Sequence, residues 1–206
     1  MSDPTQEFWE WFQANQAAYR FVNEVEDEER MRLVNELGAA LKKGHPDLTF
    51  LIGGRGVDTV ELVISAEGIR VRFPQVEALV AAAPPIEGWE IIAFKPPQEN
   101  LDFKLEFLGI ALEPKNVWFV PLRMKDQPEL IGLRVGFVEY EEEREKEFMH
   151  AIFLLLDIVL GEKSTTLDLA YLELKPLPVI PREEGWMPFT ELRAYVRAKK
   201  KDFDLS

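Results

Sequence analysis

Hydrophobic positions change their spacing along this chain, and each change marks a new element. Near the start, Phe8, Trp9, Trp11 and Phe12 share one broad helical face, with Glu7 and Glu10 opposite. Asp3 supplies a cap, Pro4 suits the first helical position, and Gln6 stands at capping-box spacing. A second helix is predicted over Asp27 to Lys43, where Met31, Val34, Leu37 and Leu41 recur at three- and four-residue steps. Gly44 and Pro46 stop it. From Leu48 the period becomes two, predicting strands over 49–53 and 60–66, the second with Val60, Leu62, Ile64 and Ala66 on one face. A helix follows over 74–83, with Val76, Leu79 and Val80 facing inward and Pro84-Pro85 closing it. Strands over 89–95, 103–108, 117–124 and 130–140, a long helix over 141–160, a strand over 167–175 and a tail helix over 189–201 complete the reading.

The order strand, strand, helix, strand occurs over 49–95 and again over 117–175, with closing strands that end in Lys95-Pro96 and Lys175-Pro176. The expected fold is a single α+β domain with a mainly antiparallel sheet and the 74–83 and 141–160 helices on one face. Residues 1–46 form a helical lid, 47–178 the sheet and covering helices, and 179–206 a tail with a short helix. The echo admits two ββαβ units, and the strand over 103–108 fits neither.

Nearly half the residues are apolar, as a globular chain requires. The absence of cysteine excludes disulfides, zinc–thiolate sites and thiol catalysis. His45 and His150, the only histidines, are too far apart for a His-x-x-x-His or His-Glu-x-x-His site, and the acidic pairs lack the EF-hand pattern. No metal and no cofactor are expected. The net charge of −13 disfavours nucleic-acid backbones and favours a basic protein partner or self-association. Met1 to Glu7 lack the regions of a signal peptide, and the apolar run from Ala151 to Leu160 is short and interrupted by Asp157. A soluble cytoplasmic protein away from membranes is expected.

The opening Phe8-Trp9-Glu10-Trp11-Phe12, the segment Ile64-Ser65-Ala66-Glu67-Gly68-Ile69 and the run from Leu154 to Glu162 carry a resemblance. With these motifs the chain resembles an uncharacterised family of bacterial cytoplasmic proteins. The resemblance implies a bacterial origin and brings neither an activity nor any functional residue.

Three groups are candidates for function. Trp9, Trp11 and Phe12 form either a lid over the core or a docking face for a partner. On the long helix, Glu143, Glu147, His150 and Asp157 fall near one stripe, and a carboxylate close to a histidine can tune a general base. An extended 69–73 segment would point Arg70 and Arg72 the same way, as an anion clamp requires. Ser65 lacks the Gly-x-Ser-x-Gly elbow of a hydrolase. The loop Gly53-Gly54-Arg55-Gly56 lacks the Gly-Lys-Ser/Thr and following helix of a phosphate cradle, and reads as a hairpin connection.

The residues thus favour a protein-binding or regulatory module, such as an immunity-type inhibitor. A hydrolase or isomerase using His150 with Asp157 or Glu147, and Arg70 or Arg72 for an anion, is the alternative. Whether the protein is an enzyme stays open at this level.

Overall fold

The computed structural model describes residues 3–53 and 59–204. Most of the predicted Gly53–Gly56 loop lies outside the described residues. The fold is α+β, and the chain divides into two compact units, Met1–Lys95 and Pro96–Ser206. The sequence reading kept the sheet-forming residues in one domain. In the structure the N-terminal helices instead share a unit with the first ββαβ stretch.

The first unit begins with α1 (Pro4–Asn15), capped by the Asp3 side chain, which accepts from the Thr5 amide at 3.0 Å. A 3-10 turn over Gln16–Tyr19 leads to α2 (Asp27–Gly44). The hairpin of β1 (Thr49–Gly53) and β2 (Val60–Ser65) is antiparallel. α3 (Phe73–Ala81) then carries the chain over to β3 (Trp89–Ala93), which pairs with β2 in parallel. Such a parallel return needs a crossover, and the helix provides it.

The core of this unit gathers Phe8, Trp9, Phe12, Tyr19, Leu37, Leu41, Leu62, Ile64, Val76 and Leu79, all nearly inaccessible. Each large apolar side chain so buried contributes about 1.5–3 kcal/mol. α1 is tied down by polar contacts as well: the Trp9 indole donates to the Leu79 carbonyl, and the Trp89 indole to Gln16 Oε1 at 2.8 Å.

The second unit starts with a small hairpin, β4 (Leu105–Phe107) and β5 (Ile110–Leu112), turned by Leu108 and Gly109, both at positive φ. Next come β6 (Val117–Arg123) and β7 (Ile131–Phe137), antiparallel to each other. α4 (Glu145–Leu160) and α5 (Glu162–Asp168), separated by Gly161 at positive φ, cross to β8 (Leu169–Leu174), which is parallel to β7. β9 (Met187–Pro188) pairs with β6, giving the order β8-β7-β6-β9, and α6 (Leu192–Asp204) closes the chain.

α4 presents Phe148, Ala151, Ile152, Leu155, Leu156 and Val159 to a core that includes Leu133, Val135, Phe119 and Phe189. Arg193 closes the C-terminal end of this helix by donating to the carbonyls of Val159, at 2.8 Å, and Gln98. The last carbonyls of a helix lack intrahelical partners, so this guanidinium satisfies one that would otherwise be orphaned.

The two stretches that echo each other share a topology. β1-β2-β3 and β6-β7-β8 each run antiparallel and then parallel. The Lys-Pro endings are nevertheless out of step. The Phe94 amide bonds to the Ile64 carbonyl, as the Lys175 amide does to Val135, so Lys175 matches Phe94 and Lys95 lies one residue further on.

Candidate functional site

The three groups singled out in the sequence meet different fates. Trp9 and Phe12 are 2% and 0% exposed and belong to the core of the first unit. Phe12 packs edge-on to Trp89 at 5.0 Å, and half-buried Trp11 leans on Tyr19 at 6.1 Å. Burial corrects the docking reading of this face: the rings that were to meet a partner already meet the protein.

The clamp fails through local geometry. Arg70–Arg72 form a turn of 3-10 helix, not a strand, so the two side chains do not alternate onto one side. Arg70 is exposed, while Arg72 pairs with Asp47 at 2.9 Å.

The stripe on α4 is present and loosely built. His150 is exposed, and Glu147 is half-buried with the Arg144 guanidinium 3.9 Å away. No hydrogen bond joins Glu147 to His150 among the described residues. Asp157 is half-buried in the last turn and already engaged in an interaction. His150 and Asp157 both project from the side of α4 opposite its core face. Arg70 and Arg72 belong to the first unit and His150 to the second. His45, at the end of α2, has its pKa lowered by burial, against a smaller raising effect from Asp3.

Two polar clusters went unrecognised in the sequence. In the first unit, Glu67 and Gly68 turn the chain after β2 with positive φ, an uncommon conformation for glutamate. Glu67 accepts hydrogen bonds from Thr49 Oγ1 at 2.7 Å, Ser65 Oγ at 3.3 Å and Lys95 Nζ at 2.6 Å. Partial burial pushes this carboxyl up, but the bonds from Lys95 and Thr49, with the Lys95 charge, outweigh it and hold it below its ordinary value. Ser65, fully buried, accepts from the Glu67 amide and is committed to the turn. The cluster closes the end of the sheet and leaves no group poised for chemistry.

In the second unit, buried Asp168 accepts from Ser164 and from Lys200 Nζ, 2.8 Å from Oδ2, on the side of α5 that meets α6. Glu162 is fully buried nearby in sequence, and Thr165 Oγ1 is a buried hydroxyl with no hydrogen-bond partner among the described residues. An i, i+4 pattern of Ser164 and Asp168 was visible in the chain, but its partner Lys200 comes from a distant helix.

The described surface also exposes several large apolar side chains. In the first unit Phe21 is 59% and Met31 65% exposed, and Val34 is also open to solvent. Met31 and Val34 stand three residues apart on α2 and so share one side of it. Phe21 lies on the preceding loop, which Arg30 fastens to the helix by donating to the Val22 and Val25 carbonyls. The surrounding charge is acidic. Arg30 is paired with Asp27 and Arg32 with Glu29 and Glu36, whereas Glu24, Glu26 and Glu28 make no ion pair among the described residues.

Among the described residues no group of His, Asp and Glu could hold a metal ion, and no helix is long and apolar enough to cross a membrane. Comparison with protein-family models, curated proteins and solved structures finds no match.

Proposed function

We propose that this is a cytoplasmic, non-catalytic binding module that docks a basic, apolar-faced segment of a partner protein against α2 and the loop before it. The observation that carries this reading is the exposed pair Met31 and Val34 on a helix preceded and opened by Glu24, Glu26 and Glu28, which make no ion pair among the described residues. Exposed apolar side chains gathered in one place mark interaction surfaces more often than those scattered singly. Unpaired acids at the rim would steer a cationic partner and make the encounter sensitive to salt. The net charge of −13 points the same way. The regulatory role anticipated from composition thus moves from the buried aromatics of α1 to the open face of α2.

A titration with a helical peptide of leucines and lysines tests the reading. Saturable binding is expected, weakened about tenfold or more by Met31→Asp with Val34→Asp and weakened again by salt. Equal affinity for wild type and the double variant would reject the surface.

A further inference from the structure

The helix α2 is polarised along its length. It opens with Asp27, Glu28 and Glu29 and ends with Lys42 and Lys43 in its last turn. Glu28, Lys42 and Lys43 are exposed and make no ion pair among the described residues. Between these ends runs one stripe on the solvent side. Glu28, Met31, Asn35, Gly38 and Lys42 recur at steps of three and four, with Val34 beside them. All of these are exposed except Gly38, which is half-buried.

Gly38 stands in the middle of the helix, where glycine is the poorest residue after proline. The surrounding chain does not require it. The nearest neighbour that a Cβ at position 38 would meet is the Phe50 ring at 3.6 Å, an ordinary contact, whereas at Gly44 the Pro4 Cβ would be met at 2.5 Å. What glycine does provide at position 38 is a gap in the stripe, where another backbone or a long side chain can approach closely.

We infer that α2 pairs antiparallel with α2 of a second copy of this chain. The inference rests on the docking reading above and names its partner. The basic, apolar-faced segment that the reading calls for is the latter half of α2 itself, from Val34 to Lys43. A two-fold axis near Asn35 sets Met31 of one copy against the gap at Gly38 of the other, and Glu28 against Lys42. Each contact occurs twice, as a closed two-fold interface requires. A parallel pair would instead set Glu28 against Glu28 and Lys42 against Lys42. A single helix face offers less than the roughly 800 Å² per partner of a standard stable interface, so the pairing is weak and reversible. Two chains carrying −13 each repel at long range. At about 0.15 M salt the screening length is about 8 Å, which damps that repulsion and spares pairs in contact.

The test is sedimentation equilibrium of the full chain from about 5 to about 500 µM, in about 0.15 M salt. A reversible monomer–dimer equilibrium is expected, with Kd on the order of 10–100 µM. Glu28→Lys and Lys42→Glu should each weaken it about tenfold, because each sets like charges together twice per dimer. An equimolar mixture of the two variants should dimerise again, and so should a chain carrying both changes, since opposite charges then face each other once more. Met31→Asp with Val34→Asp should abolish the dimer. Undiminished dimerisation in both single variants would overturn the inference, as would a mixture no tighter than its components. The leucine–lysine peptide separates the inference from the reading beneath it. A chain that binds the peptide yet stays monomeric to about 500 µM overturns the self-pairing alone, and one that does neither overturns both.

Discussion

The indole N–H of Trp9 donates to the carbonyl of Leu79 at 2.9 Å, in a fully buried contact between α1 and the last turn of α3. Around that carbonyl, Ala82 bonds back to Ala78 and Ala83 to Val80, so the α3 backbone passes Leu79 by. Trp9 therefore completes the end of a helix seventy residues away while filling the core with its ring. Trp9→Phe should cost about 1–2 kcal/mol, chiefly through the unpaired carbonyl, and Trp9→Ala about 3–5 kcal/mol. Urea unfolding followed by far-UV circular dichroism checks both values. A neutral Trp9→Ala would place the residue outside the core.

Arg193 performs a comparable service in the second unit, through the carbonyls of Val159 and Gln98. Burial lowers its pKa, with the neighbouring charge of Arg197 adding to the effect. Arg193→Met keeps much of the packing and removes the donors, so it should destabilise by about 1–3 kcal/mol. Amide hydrogen exchange at the end of α4 should quicken in this variant more than exchange in β7.

Glycine at position 44 is a matter of space. A Cβ there would stand 2.5 Å from Pro4 Cβ and 3.3 Å from the Pro4 carbonyl oxygen, and the backbone cannot yield as a flexible side chain would. Helix propensity alone favours alanine by about 1 kcal/mol. Gly44→Ala should nevertheless destabilise, by about 1–3 kcal/mol, because α1 must shift away from α2. A rise in melting temperature would show that the two helices are not seated this closely.

Glu67 confers a small pH dependence of definite sign. Its carboxyl is held below the ordinary value of 4.5 in the folded state, so the stabilisation is fully present above that value. It is lost as pH falls through the lowered folded value. Half the side chain is exposed, which limits the effect to under about 1 kcal/mol. Glu67→Gln should therefore flatten the acid limb of the stability curve and leave its slope near neutrality unchanged. Melting temperatures across the acid range provide the check.

Much of this fold was legible because its apolar spacing is regular. The face of α1, the period-two run of β2 and the long apolar side of α4 each announce their partners. The segment 69–73 misled because Ile69, Val71 and Phe73 alternate with arginines as a strand would. Pro74 instead begins a helix there: Phe73 is buried at its start, while Val71 stays 84% exposed. β5 is only three residues long, too brief to show a period. The aromatics of α1 illustrate a deeper limit, since one amphipathic pattern serves equally for covering a core and for meeting a partner. Only the chain that Trp9 and Phe12 pack against distinguishes the two. The exposed face of α2 was hidden for the same reason: Met31 and Val34 read as core beside Leu37 and Leu41, and the fold turns them outward.

The most direct test of the docking account is a three-bait capture from native lysate at low and high salt, read by mass spectrometry. Wild type, Met31→Asp with Val34→Asp, and Val179→Asp are compared. Val179 is 98% exposed in the other unit and serves as the control. All three baits should melt within a few degrees of one another, since exposed substitutions typically change stability by about 0.5 kcal/mol or less. The account predicts a stoichiometric partner on wild type and Val179→Asp, released by salt and missing from the α2 variant. A partner held equally by all three baits, or no partner on a folded wild-type bait, would contradict it.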